Sequence, residues 1–262
     1  MKDIFSPTPY PDVNIVLQEF AAGIQSILGD QFIGLYLYGS LASGDFDPQT
    51  SDIDLIALTR NEIPDDQFVN VHDLHARFDK SNSPWSRKIE AAYIPLNALN
   101  HPPLASALYP QIEKGTELVR TALEVGWAFQ RHTLREHGVI VTGPSPRSLI
   151  DPVDPLEMHQ AAMTIVRGWQ EQSRNDPSWI AWAQQRSGHT FIVLTLCRIR
   201  YSLQTGNVAS KPAAALWSKA TIGQRWRLLI DRALTNLHDD QEISDTDLIE
   251  TLAFLDDTAL LL

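Results

Sequence analysis

Cysteine is nearly missing from this chain: its 262 residues hold one, Cys197. That excludes an intrachain disulfide framework and any multi-cysteine metal site. In apolar helical surroundings the thiol reads as an inert core residue. Long hydrophobic runs are missing too, with no window of about twenty uncharged apolar residues to span a bilayer. The opening Met1-Lys2-Asp3-Ile4-Phe5-Ser6-Pro7 lacks the basic-then-apolar order of a secretory signal, so a cytoplasmic protein with no membrane partner is expected. Basic charge is in deficit, with 21 Lys and Arg against 32 Asp and Glu and a net charge of −11. Proteins of duplex nucleic acid usually carry a broad basic surface, so no nucleic-acid partner is expected and a cationic small molecule suits the chain better. Repeats, low-complexity tracts and charge blocks are also absent, and a monomer is the expected state.

What the chain does have is one costly constellation. Leu37-Tyr38-Gly39-Ser40 is followed eleven residues after Ser40 by Ser51-Asp52-Ile53-Asp54-Leu55. The run Phe32 to Tyr38 reads as a strand, and Gly39-Ser40 ends it with a small, backbone-exposing pair suited to phosphate oxygens. Gly44, Asp45, Asp47 and Pro48 supply a turn, and Asp52 to Thr59 reads as a second strand. Period-two alternation puts Asp52 and Asp54 on one face. Neighbouring carboxylates repel, but a divalent cation bridging them to a triphosphate makes the pair favourable. The plainer alternative is a pair of acidic turn residues fraying into an edge strand. A third acid, Glu90, is the lone carboxylate of the strand-like run Lys88 to Ile94. It could complete a metal site, act as a base toward a hydroxyl, or be a solvated strand residue.

Around this centre the spacing predicts an α+β domain over residues 1–153. A helix opens at Pro11-Asp12 with Val13, Val16, Phe20, Ile24 and Ile27 on one stripe. A second is capped at Asp65-Asp66 and carries Phe68, Val71, Leu74 and Phe78, flanked by His72 and His75 on a partly exposed surface. Residues 97–110 read as an irregular excursion, Glu113 to about His137 as helix through Leu118, Ala122, Val125 and Phe129, and Val139 to Pro144 as a short edge strand. Prolines between 143 and 154 mark the boundary to an all-α domain, 154–262, with helices at Leu156–Gln172, His189–Thr205, Ala213–Ala220, Gln224–Leu237 and Asp245–Leu262. Within the apolar helix Phe191 to Tyr201, Arg198 requires an anionic partner. Ser210 is the N-cap of the next helix and Lys211 sits at its start, where the dipole disfavours a cation unless an anion binds as well. A nucleotide phosphate answers both; a structural carboxylate for Arg198 and solvent for Lys211 is the competing account. Trp169 is a ring-stacking candidate, with core packing the default for tryptophan.

The Gly39-Ser40 and Asp52-x-Asp54 pattern resembles the nucleotidyltransferases of the polymerase-beta superfamily. Leu194-Thr195-Leu196-x-Arg198-Ile199-x-Tyr201-Ser202, with Thr205-Gly206-x-x-Ala209-Ser210-Lys211-x-x-Ala214-Ala215-x-Trp217, resembles the helical domain of the streptomycin/spectinomycin adenylyltransferases. The resemblance implies a polymerase-beta-like catalytic domain followed by a helical bundle, with the site in the cleft between them. It implies Mg²⁺-dependent transfer of AMP from ATP to a hydroxyl of an aminoglycoside or aminocyclitol antibiotic, a resistance activity. Asp52 and Asp54 then match the metal ligands, Glu90 the base or a further ligand, Gly39 and Ser40 the phosphate-binding turn, and Arg198 and Lys211 the phosphate ligands. Before the Arg198 helix, where the family carries an acid facing the drug, this chain has Gln184, Gln185 and Arg186. The alternatives are nucleotidyl transfer to another metabolite or a protein, and a non-catalytic ligand-binding relative.

Overall fold

The computed structural model describes residues 6–49, 51–81, 83–100, 106–235 and 241–262. By internal packing the chain divides into two units. One runs through Glu124 and resumes at Gln130–Pro152, and the other takes Val125–Phe129 and Val153–Leu262.

The first unit is a mixed sheet with helices. Its strands are β1 (Phe32–Leu37), β2 (Ile53–Thr59), β3 (Ile89–Pro95), β4 (Tyr109–Ile112), β5 (Val119–Thr121) and β6 (Val139–Thr142), in the order β5-β4-β3-β2-β1-β6. β2 and β3 run parallel and the other neighbours antiparallel. A parallel pair needs a crossover, and here α3 (Asp65–Asp79) supplies it. Ile53, Leu55 and Ala57 of β2 share a core with Val13, Leu17, Phe20 and Ile24 of α1 (Pro11–Leu28) and with Val71 and Leu74 of α3. The three-and-four spacing of those helical residues makes the stripe that covers this face of the sheet. Ile56, Leu58, Ala92 and Ile94 alternate with that set and are buried as well, so the two central strands are apolar on both faces. β6 is an edge strand, as its short apolar run predicts.

Several expectations are corrected. Residues 113–137 are not one helix: a turn at Lys114 and Gly115 joins β4 to β5, and α5 begins only at Trp127 (Trp127–His137). Part of the excursion read at 97–110 is ordered, with a short helix α4 (Leu96–Leu99) and the start of β4, while 101–105 fall outside the described residues. Asp65 and Asp66 lie in the first turn of α3 but make no side-chain cap. His75 is buried rather than half exposed, because Tyr93 of β3 meets its Nε2 at 2.8 Å.

The second unit is helical: α6 (Pro155–Asn175), α7 (Pro177–Gln184), α8 (Arg186–Thr205), α9 (Lys211–Thr221), α10 (Arg227–Thr235) and α11 (Asp245–Ala259). Asp154, Asp176, Ser210 and Ser244 each cap the helix that follows. α7 is an addition to the expected set, and its start was legible in Asp176-Pro177, an N-cap followed by proline at the first position. Ile192, Val193, Leu194, Leu196, Cys197 and Ile199 place α8 at the core, and burial pushes the Cys197 thiol up to about 12. The deeply buried arginine of α8 is Arg200, not Arg198. It is held by Asp257 and, at 2.9 Å, by the Thr258 hydroxyl of α11. Among the described residues no helix is long and apolar enough to cross a membrane.

Candidate active site

Register decides the first unit's site. β2 and β3 run parallel with Asp54 opposite Glu90, each the second residue of its strand, so two carboxylates stand side by side on one face. β1 pairs with β2 through Leu37 and Leu55, and the N–H of Tyr38 donates to the Asp54 carbonyl at 3.1 Å. Immediately after Tyr38 the chain turns into α2 (Gly39–Ser43), with Gly39 at φ 63°. A Cβ there would stand 1.9 Å from Oδ2 of Asp54, so only glycine lets the backbone pass this close to the carboxylate. Ser40 lies in the first turn of α2, and its carbonyl accepts from the N–H of Asp45 at 3.1 Å.

Asp52 precedes β2 on a tied-down loop. Asp47 and Ser51 close that loop, the Ser51 N–H donating to the Asp47 carbonyl at 2.8 Å and the Ser51 hydroxyl accepting from the Asp47 N–H at 3.0 Å. Lys88, just before β3, donates to the carbonyls of Pro48 and Gln49 at 2.9 and 2.8 Å. The loop is thus fixed to the strand that carries Glu90. From the β4–β5 turn, the Lys114 ammonium lies 2.9 Å from Oδ1 of Asp52 and its backbone N–H donates to Oε1 of Glu90 at 3.3 Å. The ammonium contact is one of charge more than of alignment, since that Oδ1 makes no well-angled hydrogen bond.

The electrostatics follow from burial and like charge. Desolvation raises the Glu90 carboxyl above the usual range; Asp52 and Glu113 push the same way, and the Lys114 N–H opposes them. The Tyr38 phenol is raised well above its ordinary value by burial and then by Asp54, Glu90 and Glu124, so it remains a neutral hydroxyl beside the acids. Neither Tyr38 nor Lys114 was identified from the sequence. Tyr38 had a signal, being the residue next to Gly39-Ser40, whereas Lys114 had none while its segment read as helix.

In the second unit, Lys211 and Trp169 both approach Phe191, and Arg198 is tied to the segment that leads into α9. Arg198 Nε donates to the Ala209 carbonyl at 3.1 Å, just before α9. Lys211 is the first residue of α9, behind a Ser210 hydroxyl that accepts from Ala213, and its ammonium lies 5.0 Å from the Phe191 ring centroid. Trp169 is partly buried, with its ring 6.1 Å from that of Phe191.

Among the described residues no group of three or more His, Cys, Asp or Glu side chains converges as a ready metal cluster. The donor chemistry nonetheless fits a hard divalent cation. Asp52, Asp54 and Glu90 offer carboxylate oxygens alone, as magnesium requires, and Asp52 already faces a cation in Lys114.

Residues 19–119 match the nucleotidyltransferase domain family. Residues 148–257 match the family described as aminoglycoside adenylyltransferase, C-terminal domain. The chain is 27% identical over 233 residues to an aminoglycoside (3'') (9) adenylyltransferase of Shigella flexneri, covering 84% of this chain and 83% of that protein. It is 22% identical over 243 residues to a spectinomycin 9-adenylyltransferase of Campylobacter jejuni, covering 88% and 89%. Its fold is that of a spectinomycin adenyltransferase from Enterococcus faecialis solved with ATP and spectinomycin: TM-score 0.69, 17% identity, 95% of this chain and 98% of that one. The mixed sheet with its paired acids under a Gly-Ser turn is therefore that of an enzyme, a nucleotidyltransferase. Within that class the chain is similar to the aminoglycoside adenylyltransferases.

Proposed function

We propose that this enzyme transfers AMP from ATP to a hydroxyl of a small aminoglycoside- or aminocyclitol-type molecule, with Mg²⁺. Residues 1–153 are the catalytic part and 154–262 supply the remaining ligands for nucleotide and acceptor. The observation that carries this reading is the placement of Asp54 beside Glu90 on parallel strands, under a Gly39 where any side chain would have to displace the turn or the carboxylate. The relatives, named for adenylyl transfer to aminoglycosides and spectinomycin, support the acceptor class.

In this mechanism Asp52 and Asp54 hold magnesium, which when bound offsets the charge of the triphosphate and polarises the reacting phosphate. Gly39 and Ser40 leave backbone and hydroxyl open toward phosphate oxygens. Glu90, with a carboxyl more basic than usual, takes the proton from the acceptor hydroxyl. The acceptor oxygen then bonds to the α-phosphorus as the bond to pyrophosphate breaks. Arg198 and Lys211 compensate charge on that leaving group, and Trp169 offers an apolar ring to the acceptor.

The test is incubation with ATP, Mg²⁺ and a panel of aminoglycosides and aminocyclitols, following pyrophosphate release. Acceptor-dependent release is expected with at least one member. No release with any member, from protein shown to bind ATP, removes the acceptor class.

A further inference from the structure

The β4–β5 turn reaches the acid row through Lys114. Thr116 and Glu113 close the turn, the Thr116 hydroxyl donating to the Glu113 carbonyl at 2.9 Å and accepting from the Glu113 N–H at 3.2 Å. Gly115 at φ 74° completes the reversal. Lys114 is thereby held by its backbone at Glu90, 3.3 Å away, while its side chain, 48% exposed, extends to Asp52 at 2.9 Å. We propose that Lys114 is a positioning residue for cation loading: its ammonium is the built-in counter-ion of Asp52, and a divalent cation enters only by displacing it. This rests on the reading of Asp52 and Asp54 as the metal-holding pair.

The argument is one of competition for the same oxygen. Oδ1 of Asp52 cannot serve a monovalent ammonium at contact distance and a divalent cation together, because the two positive charges repel at that separation. Lysine suits such an exchange. Its head is a compact point charge on a flexible stem, so it can leave while the backbone contact to Glu90 stays in place. Two consequences follow. The nucleotide-free enzyme keeps its acids partly neutralised and takes up divalent ions weakly. Entry of the ion with a triphosphate is favoured, since the incoming phosphates give the displaced ammonium a new partner.

The experiment measures Mn²⁺ binding to the nucleotide-free full chain by the paramagnetic resonance of free Mn²⁺. Lys114→Met should bind about two- to fivefold tighter than the parent, the worth of a half-exposed ion pair. Lys114→Arg, which keeps the charge, should stay at the parent level. Adding Asp52→Asn to Lys114→Met should remove the gain. Unchanged or weaker binding by Lys114→Met, or a gain that survives Asp52→Asn, overturns the proposal. A readout on the unaltered chain guards against misfolded variants: saturating Mg²⁺ should shift the Lys114 side-chain nitrogen resonance, and an unmoved resonance also overturns it. The transfer assay on the same proteins separates the two claims. Tighter Mn²⁺ binding without any AMP transfer keeps this inference and removes the functional reading, whereas transfer with unaltered Mn²⁺ affinity removes this inference alone.

Discussion

Gly39 and Asp54 fit together with no room for a methyl group, since a Cβ on Gly39 would stand 1.9 Å from Oδ2 of Asp54. The glycine also has φ 63°, which other residues adopt at a cost of about 1–2 kcal/mol. Gly39→Ala must therefore move either α2 or the carboxylate. Turnover should fall roughly a hundredfold, as expected when reacting groups shift by about an ångström. A Gly39→Ala enzyme with parental kcat would show that Asp54 need not stay where it is.

Asp54 and Glu90 are like charges side by side on paired strands, a pairing that costs stability. Asp54→Asn should cut AMP transfer roughly a hundredfold or more while thermal unfolding stays level or rises slightly. A drop in Tm together with retained transfer would reassign Asp54 as a structural residue.

Much of the catalytic half was legible because its signal is local. Gly39-Ser40 and Asp52-x-Asp54 lie within a short stretch, and period two alone puts the acids on one face. Glu90 was legible as the one acid in its strand, although its pairing with Asp54 is a register that only the fold reveals. The β4–β5 turn was hidden because Leu118, Ala122, Val125 and Phe129 happen to recur at helical spacing, while the strands that recruit residues 109–121 lie earlier in the chain. Lys114 was lost with it. His75 looked exposed because its partner, Tyr93, lies on β3. Arg198 and Arg200 both sit in an apolar helix, and which one is buried depends on Asp257 and Thr258, far along the chain.

In the proposed mechanism Glu90 takes a proton and does not bind the nucleotide. Glu90→Gln keeps the size and the acceptor for the Lys114 N–H but removes the basicity. It should lower kcat by about 10²–10⁴ and change ATP affinity little. Equal losses in turnover and ATP affinity would make Glu90 a metal ligand only.

Lys211 stands over the Phe191 ring at the start of α9, where a cation is disfavoured by the helix dipole. In the proposed mechanism a nucleotide phosphate binds at this helix start, beside the ammonium. Lys211→Ala should weaken ATP binding in calorimetry roughly tenfold or more, the worth of a charge-assisted contact. Intact ATP affinity would leave the lysine with a packing role against Phe191.

Two buried histidines, one in each unit, make folding sensitive to acid. Burial lowers His75, paired with the Tyr93 hydroxyl, to about 4, and lowers His189, paired at 2.7 Å with the Thr251 hydroxyl, to about 4. Each is neutral when folded and takes up a proton near pH 6.5 when unfolded. Between these values the unfolded chain binds more protons, so stability falls with falling pH. The contribution is fully present above about pH 6.5 and is lost on the way to about pH 4, up to about 3 kcal/mol for each histidine. His75→Gln retains a hydrogen-bonding group for Tyr93 but cannot take up that proton, and His189→Gln does the same for Thr251. Denaturant unfolding at pH 7 and pH 5 should therefore show a smaller loss in each variant than in the parent. If both glutamine variants lose as much stability as the parent over this interval, the acid sensitivity lies in other groups.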